Sequence, residues 1–350
     1  MKAYKSILIL LLGLTSCNIF TGPDPSSDPI GIFNRIWKDF DETYALIDLK
    51  MGQLTPPTTW NDEYTKYSAR ISPGMGDETL FQVCCDMLKD LNDSHVYLLS
   101  PFRAFNSGGR FDTANNEPFS LQVIKNNYLA ESGTATPDGM FVYGTFTAKP
   151  TIGYIYIAGF AKGETEIGSQ DWVKAIDSII NSLSSTTALI VDIRGNRGGL
   201  QANVDYIANR FASAERDYVE VRTKNGTGRN DFSSSITHTI KPEGTRYTKP
   251  IILLTNKQTI SGGEWFTLAL RSQPHVTHAG STSAGAFSLS LERQLANGWI
   301  YSVSVQKVTD MDGACYEGVG IAPPILTANS AVNIASNIDD QLGNALTLVP

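Results

Sequence analysis

The chain has 350 residues, 41% of them hydrophobic and 18% charged, with a net charge of −7 and an isoelectric point of about 5.2. That composition suits a folded protein with a sizeable core, in one large domain or two smaller ones, and excludes disorder as the default. An acidic chain without a Lys/Arg cluster is also a poor nucleic-acid binder.

The first segment reads as an address. Met1 to Lys5 is basic, and Ile7 to Leu12 is apolar but too short to span a bilayer. The run ends in Leu14-Thr15-Ser16-Cys17, which resembles the lipobox of bacterial lipoproteins. That resemblance implies a signal peptide over 1–16, cleavage before Cys17, and a lipid on the Cys17 sulfur holding the protein to the cell envelope. Asn18 points to the outer membrane, on its periplasmic or outward face, by likeness to known sorting signals. Residues 17–30 are rich in Pro, Ser and Asp and read as a tether.

Residues 31–95 are expected to form a small helical domain. Ile32, Phe33, Ile36, Trp37 and Phe40 recur at helical spacing. A turn over Thr55–Thr59 precedes a second helix from about Asn61. A third helix is expected from an Asp77 cap to Leu91, stopping at Asn92-Asp93, directly before Ser94-His95. Cys84 and Cys85 lie on it as small core residues, because adjacent cysteines rarely pair and no metal-ligand spacing is present. The remainder, 96–350, reads as an α/β core. Val96–Leu99, Ile152–Ala158, Ala188–Ile193, Ile251–Thr255 and the run from Val276 are strand-like. Gln170–Leu183, Gln201–Phe211 and the stretch after Ser261 are helix-like, and such alternation argues for a parallel sheet. Ala296-Asn297-Gly298 marks a hairpin between Phe287–Leu295 and Trp299–Val305. The polar segment Thr223–Lys249 reads as a hairpin or a flap over the site.

Two strand-to-helix turns hold the chemistry. The apolar run Ile251–Thr255 leads through Asn256–Ile260 into Ser261-Gly262-Gly263-Glu264, which opens a helix. A serine there is a candidate nucleophile, since free N–H groups and the positive end of the helix can stabilise an oxyanion. An ordinary N-cap serine fits the same segment. The other turn is Asp192-Ile-Arg-Gly-Asn-Arg-Gly-Gly199. It matches neither dinucleotide nor P-loop spacing, so half of an oxyanion hole suits it better than a phosphate cradle.

Five segments in order resemble the C-terminal processing, or tail-specific, serine peptidases. They are Leu88–Val96, Asp192–Gly199, Thr259–Glu264, His278–Gly285 and Glu317–Pro324, the last with Pro324 where the family has aspartate. The resemblance implies a βαβ core of the Clp protease and crotonase type, and a serine endopeptidase acting on polypeptides. Many members use a lysine just after the Gly280–Gly285 turn, but Ala286 stands there. The chain therefore resembles the tricorn-core branch, which implies Ser261 as nucleophile, His95 as base, and Ser94 and Glu317 as its orienting partners. Gly262 and either Gly198 or Gly199 would hold the oxyanion. No PDZ domain is expected, since Phe102–Thr151 is too short for one, and no metal or cofactor is implied. His275 and His278, three apart on a strand, fall on opposite faces and do not suit chelation. A non-catalytic peptide-binding lipoprotein, or an esterase or amidase on the same scaffold, are the alternatives.

Overall fold

The computed structural model describes residues 26–109, 117–161 and 171–350; the signal segment and Cys17 lie outside them. Four helices come first: α1 (Pro29–Thr43), α2 (Ile47–Gln53), α3 (Trp60–Ser68) and α4 (Asp77–Lys89). Helix α1 starts at Pro29, inside the expected tether, because Asp28 accepts the Gly31 N–H and proline suits a first helical position. Its buried residues Ile32, Phe33, Ile36 and Phe40 follow the predicted spacing. Thr59 and Asp62 form a reciprocal cap on α3. Helix α4 buries Cys84 and Cys85 as expected. Helix α2 lacks a long apolar repeat, and the sequence reading missed it.

Next come β1 (Tyr97–Leu99), β2 (Ala104–Asn106), α5 (Leu121–Asn127), β3 (Thr134–Ala135), β4 (Phe141–Thr145) and β5 (Ile152–Ile157). The chain continues through α6 (Ala175–Ser182), β6 (Ala188–Asp192), α7 (Gln201–Asn209), β7 (Arg216–Thr223), β8 (Ile236–Ile240), β9 (Ile251–Thr255), α8 (Gly262–Arg271) and β10 (Val276–Gly280). It closes with β11 (Ser290–Gln294), β12 (Ile300–Ser304), β13 (Gln306–Thr309), β14 (Ile325–Leu326), α9 (Ala331–Ala335) and α10 (Asp340–Leu348).

The large sheet has the order β14-β10-β9-β6-β5-β4-β3. Its first five strands pair in parallel, while β4 and β3 are antiparallel additions drawn from the Phe102–Thr151 segment. The strands are buried on both faces, which explains their unbroken apolar runs. Alternation divides them: Ile155, Leu189, Val191, Ile251 and Leu253 pack with α6, α7 and α8. Tyr154, Ile190, Ile252 and Leu254 pack with residues of α5 and α10.

The helical region is not a unit ending at residue 95. Its core residues Phe33, Phe40, Phe81 and Leu88 share one cluster with Val96 and Leu98 and with Trp299, Tyr301 and Val303 of the predicted hairpin. That hairpin, β11–β12, pairs with β1 in a sheet of order β11-β12-β1-β2, with Leu98 opposite Tyr301. A boundary at 95/96 therefore divides one hydrophobic core, and the hairpin belongs to the helical lobe rather than to the α/β sheet. The Thr223–Lys249 segment contains the second strand of a β7–β8 hairpin, and β13 completes a three-stranded sheet. Rather than covering the site, that sheet packs on the helical face of the core, with His238 edge-on to Trp265 of α8 at 5.0 Å.

Candidate active site

The carboxyl ends of β6 and β9 lie side by side, so the turns that follow them are bound together. Thr259 Oγ1 donates to the Ile193 carbonyl at 2.9 Å, and the Ile260 N–H donates to the Asn196 carbonyl at 3.0 Å. The Gly195 N–H donates to Asn256 Oδ1 at 2.9 Å. Arg194 is fully buried and bridges Asp192 and Asp339 at 2.7 Å each, which fixes the turn to the C-terminal segment. The backbone of Ser261 has φ 58° and ψ −123°, a conformation that a side-chain-bearing residue adopts only under restraint. The restraint is Glu264. Its Oε2 accepts the N–H groups of Ser261 (3.1 Å) and Ala286 (2.8 Å). Its Oε1 accepts Ser283 Oγ and the Gly285 N–H, both at 2.6 Å. Burial pushes the Glu264 carboxyl up to about 7 against the pull of these four donors.

Gly198 presses on the serine. With φ +83° there, a β-carbon would come within 2.7 Å of Ser261 Cβ and 2.6 Å of the Gly262 nitrogen. The expectation that Gly198 could donate to an oxyanion is corrected, because its N–H is held by Asn196 Oδ1 at 2.8 Å. Among the described residues the N–H groups of Gly199 and Gly262 have no acceptor, and a β-carbon on Gly262 would lie 3.1 Å from the Gly199 nitrogen. Two neighbouring free donors at the start of a buried helix can stabilise an anion.

The second half of the site is built around His95. One donor atom each from Asp93, His95 and Glu317 lies within 4.8 Å of the others. Asp93 is fully buried. Its Oδ2 accepts Tyr44 Oη (2.9 Å) and Ser304 Oγ (2.8 Å), and its Oδ1 accepts the backbone N–H of His95 (2.7 Å). Asn106 Nδ2 donates to the carbonyls of Ser94 and Val96 and fixes the loop from β2. Glu317 Oε2 accepts the N–H groups of Phe287 (2.9 Å) and Ser288 (3.2 Å), while Oε1 is buried without a donor among the described residues. Burial first, then the nearby Asp93 charge, hold the Glu317 carboxyl well above the usual carboxylate range.

Ser94 departs from expectation. Among the described residues no hydrogen bond joins its hydroxyl to His95 or Glu317. Its Oγ lies against Gly108, where a β-carbon would come within 2.3 Å. The Asp93–His95 turn sends residue 94 to the opposite side, into the cleft. In this turn it is Asp93 whose side chain lies within 4.8 Å of His95 and Glu317.

Segment 285–288 joins the two halves. Its Gly285 and Ala286 N–H groups bind Glu264, and its Phe287 and Ser288 N–H groups bind Glu317. The Ala286 carbonyl accepts the Ser261 N–H at 3.0 Å. Thus Ser261 and His95, more than 160 positions apart in the chain, are linked through Ala286 and Glu317. Ala286 supplies backbone groups where many relatives place a lysine. A lysine does reach this region from α2: buried Lys50 donates to the carbonyls of Asn92 and Glu317, both at 3.1 Å.

A cleft of about 290 Å³ opens beside these groups, walled by Ser94, Gly108, Arg197, Lys257, Ile260, Ala284 and Val319 among others. Ser261 and His95 are not themselves wall residues; the residues directly before them are. Asp93, His95 and Glu317 offer oxygen and imidazole donors to a cation, but the oxygens of Asp93 and Oε2 of Glu317 already accept hydrogen bonds. His278 is buried on β10 with Nε2 at 2.8 Å from Thr255 Oγ1, and burial lowers it to about 3, so it is a neutral structural residue.

An open parallel sheet with a helical lobe over its carboxyl edge is shared by several solved structures. A protein of Parabacteroides merdae ATCC 43184, described as a candidate peptidase, is 26% identical with a TM-score of 0.78, over 93% of this chain and 97% of that one. Mature CPAF, 14% identical, has the same fold with a TM-score of 0.69 over 91% of this chain and 95% of its own. Residues 151–327, just over half the chain, match the model of peptidase family S41, and the chain belongs to that family. The carboxy-terminal processing protease CtpB of Bacillus subtilis (strain 168) is 26% identical over 175 residues, half of this chain. The match spans only 34% of that relative's length.

Proposed function

We propose that the chain is a serine endopeptidase acting on polypeptides. Ser261 Oγ attacks the peptide carbonyl carbon, and His95 takes the hydroxyl proton. The tetrahedral oxyanion sits against the Gly199 and Gly262 N–H groups. His95 then returns the proton to the leaving amine, and a water molecule repeats the sequence on the acyl-enzyme. Two buried carboxylates beside one imidazole favour sharing a single negative charge between them. The three donors on Asp93, and the donor-free Oε1 of Glu317, support placing the charge on Asp93 and a proton on Glu317. Asp93 then holds the His95 backbone and balances the charge of the imidazolium, and Glu317 braces segment 287–288.

The observation that carries this reading is the restrained Ser261 turn linked through residues 286–288 to the Asp93–His95–Glu317 group. The test is cleavage of unfolded polypeptide and of simple esters by the wild type, Ser261→Ala and His95→Ala. Peptide cleavage lost in both variants supports the reading. Ester cleavage alone makes the chain an esterase, and binding without turnover makes it a peptide-binding protein.

The run Leu14–Cys17 supports a second proposal, that the protein is held to the bacterial envelope by lipid on Cys17. Detergent-phase partitioning that is lost in Cys17→Ala tests it. Unchanged partitioning removes the anchor from the account.

A further inference from the structure

The cleft is cationic in a protein whose net charge is −7. Among the described residues its titratable wall residues are Arg197 and Lys257, and none of the described wall residues is a carboxylate. The two come from turns after the adjacent parallel strands β6 and β9, so they converge on one edge of the sheet. Arg197 directly precedes Gly198, the residue pressed against Ser261 Cβ, and Lys257 stands four positions before Ser261. Both are exposed, and among the described residues neither has an ion-pair or hydrogen-bond partner. Surface cations elsewhere in the fold are commonly neutralised: Lys66 by Glu63 and Asp90, Arg70 by Asp86, and Arg229 by Asp41 and Asp48. The other described cleft walls are small or uncharged, Ser94, Gly108, Ile260, Ala284 and Val319 among them. Neutral walls let a cationic pair act on a bound chain with little competition, and a guanidinium beside an ammonium matches a carboxylate in geometry and charge.

We infer that this cleft selects peptides bearing a carboxylate beside the scissile bond, which Arg197 and Lys257 bind together. The inference rests on Ser261 being the nucleophile. The carboxylate is that of an acidic substrate side chain, and Arg197 and Lys257 are specificity residues that contact it; capture of the substrate's own C-terminus is the rival outcome that the test separates.

Binding is measured first on Ser261→Ala protein, so that turnover plays no part. The probes are fluorescein-labelled random decapeptide pools, each with one fixed Glu or one fixed Gln, and matched pools ending in a free carboxylate or an amide. One charge-assisted contact predicts about tenfold tighter binding of the carboxylate member, weakening as salt is added. The Glu/Gln pairs report the side-chain source, and a preference confined to the acid/amide pairs reports C-terminal capture and overturns the inference. In Arg197→Gln/Lys257→Gln the ratio should fall to about one, and in Arg197→Glu it should invert. Equal binding of both members of every pair, no binding of any pool, or a preference that survives in the double variant overturns the inference. Labelling of the wild type by a fluorophosphonate separates the two ideas. Labelling at Ser261 without charge preference leaves the nucleophile and removes the specificity. Charge preference without labelling does the reverse.

Discussion

Replacing Asp93 by asparagine should harm catalysis far more than replacing Glu317 by glutamine. In Asp93→Asn an amide takes the place of a carboxylate that accepts Tyr44 Oη, Ser304 Oγ and the backbone N–H of His95. The two hydroxyls can rotate to accept from the new NH₂, so the fold should lose about 1–2 kcal/mol. The imidazole loses the carboxylate that lies within 4.8 Å of it and would balance the imidazolium, and loss of the carboxylate charge costs ~10⁴ in turnover in other Ser-His-carboxylate sites. A loss of roughly 10³ to 10⁴ is therefore expected. In Glu317→Gln the amide oxygen can keep the Phe287 and Ser288 N–H groups, and the NH₂ takes the place of the donor-free Oε1. If Glu317 already carries a proton, no charge is lost and activity should stay within about tenfold. The assay is the second-order rate of fluorophosphonate labelling at neutral pH, with thermal melting to confirm folding. A loss above about 100-fold in Glu317→Gln, with Asp93→Asn within tenfold of wild type, refutes the assignment of the charge to Asp93.

Two further outcomes follow from the nucleophile turn. Gly198→Ala places a β-carbon at 2.6 Å from the Gly262 nitrogen and 2.8 Å from the Ile260 carbonyl oxygen, at φ +83°. It should lower the labelling rate more than tenfold; an unchanged rate would show that the turn can move without cost. Glu264, raised by burial from 4.5 to about 7, contributes stability that is fully present below pH about 4.5 and lost as pH rises through about 7. The wild type should therefore lose about 3 kcal/mol relative to Glu264→Gln between pH 4 and pH 8 in denaturant unfolding. Parallel pH profiles for the two proteins contradict this.

Much of the architecture is legible in the sequence because local patterns and tertiary burial agree. The largely apolar runs at Ile152, Ala188 and Ile251 read as strands of a parallel sheet, and each is buried on both faces. Ser261, His95 and Glu317 stand in short motifs whose order is visible along the chain. What stayed hidden depends on contacts between distant segments. Helix α2 is short, and Lys50 looks like a surface residue until Asn92 and Glu317 close over it. Asp93 was visible in the Leu91-Asn-Asp-Ser-His95 run, yet nothing local distinguishes it from Ser94. The direction each side chain takes is decided by Tyr44 and Ser304, brought from far along the chain. Gly198 and Gly199 likewise look equivalent until Asn196 claims one of the two N–H groups. The hairpin at Asn297 was readable, but not that it would complete the core of the helical lobe.

The central claim is that Ser261 is a nucleophile activated by His95. Its most direct test is treatment of the wild type, Ser261→Ala and His95→Ala with a fluorophosphonate, followed by mass spectrometric mapping of the adduct. The account predicts one adduct, on the wild-type peptide containing Ser261. It predicts none in Ser261→Ala, and in His95→Ala labelling slowed by at least about 100-fold. An adduct on another serine, equal labelling of Ser261→Ala, or an undiminished rate in His95→Ala contradicts it.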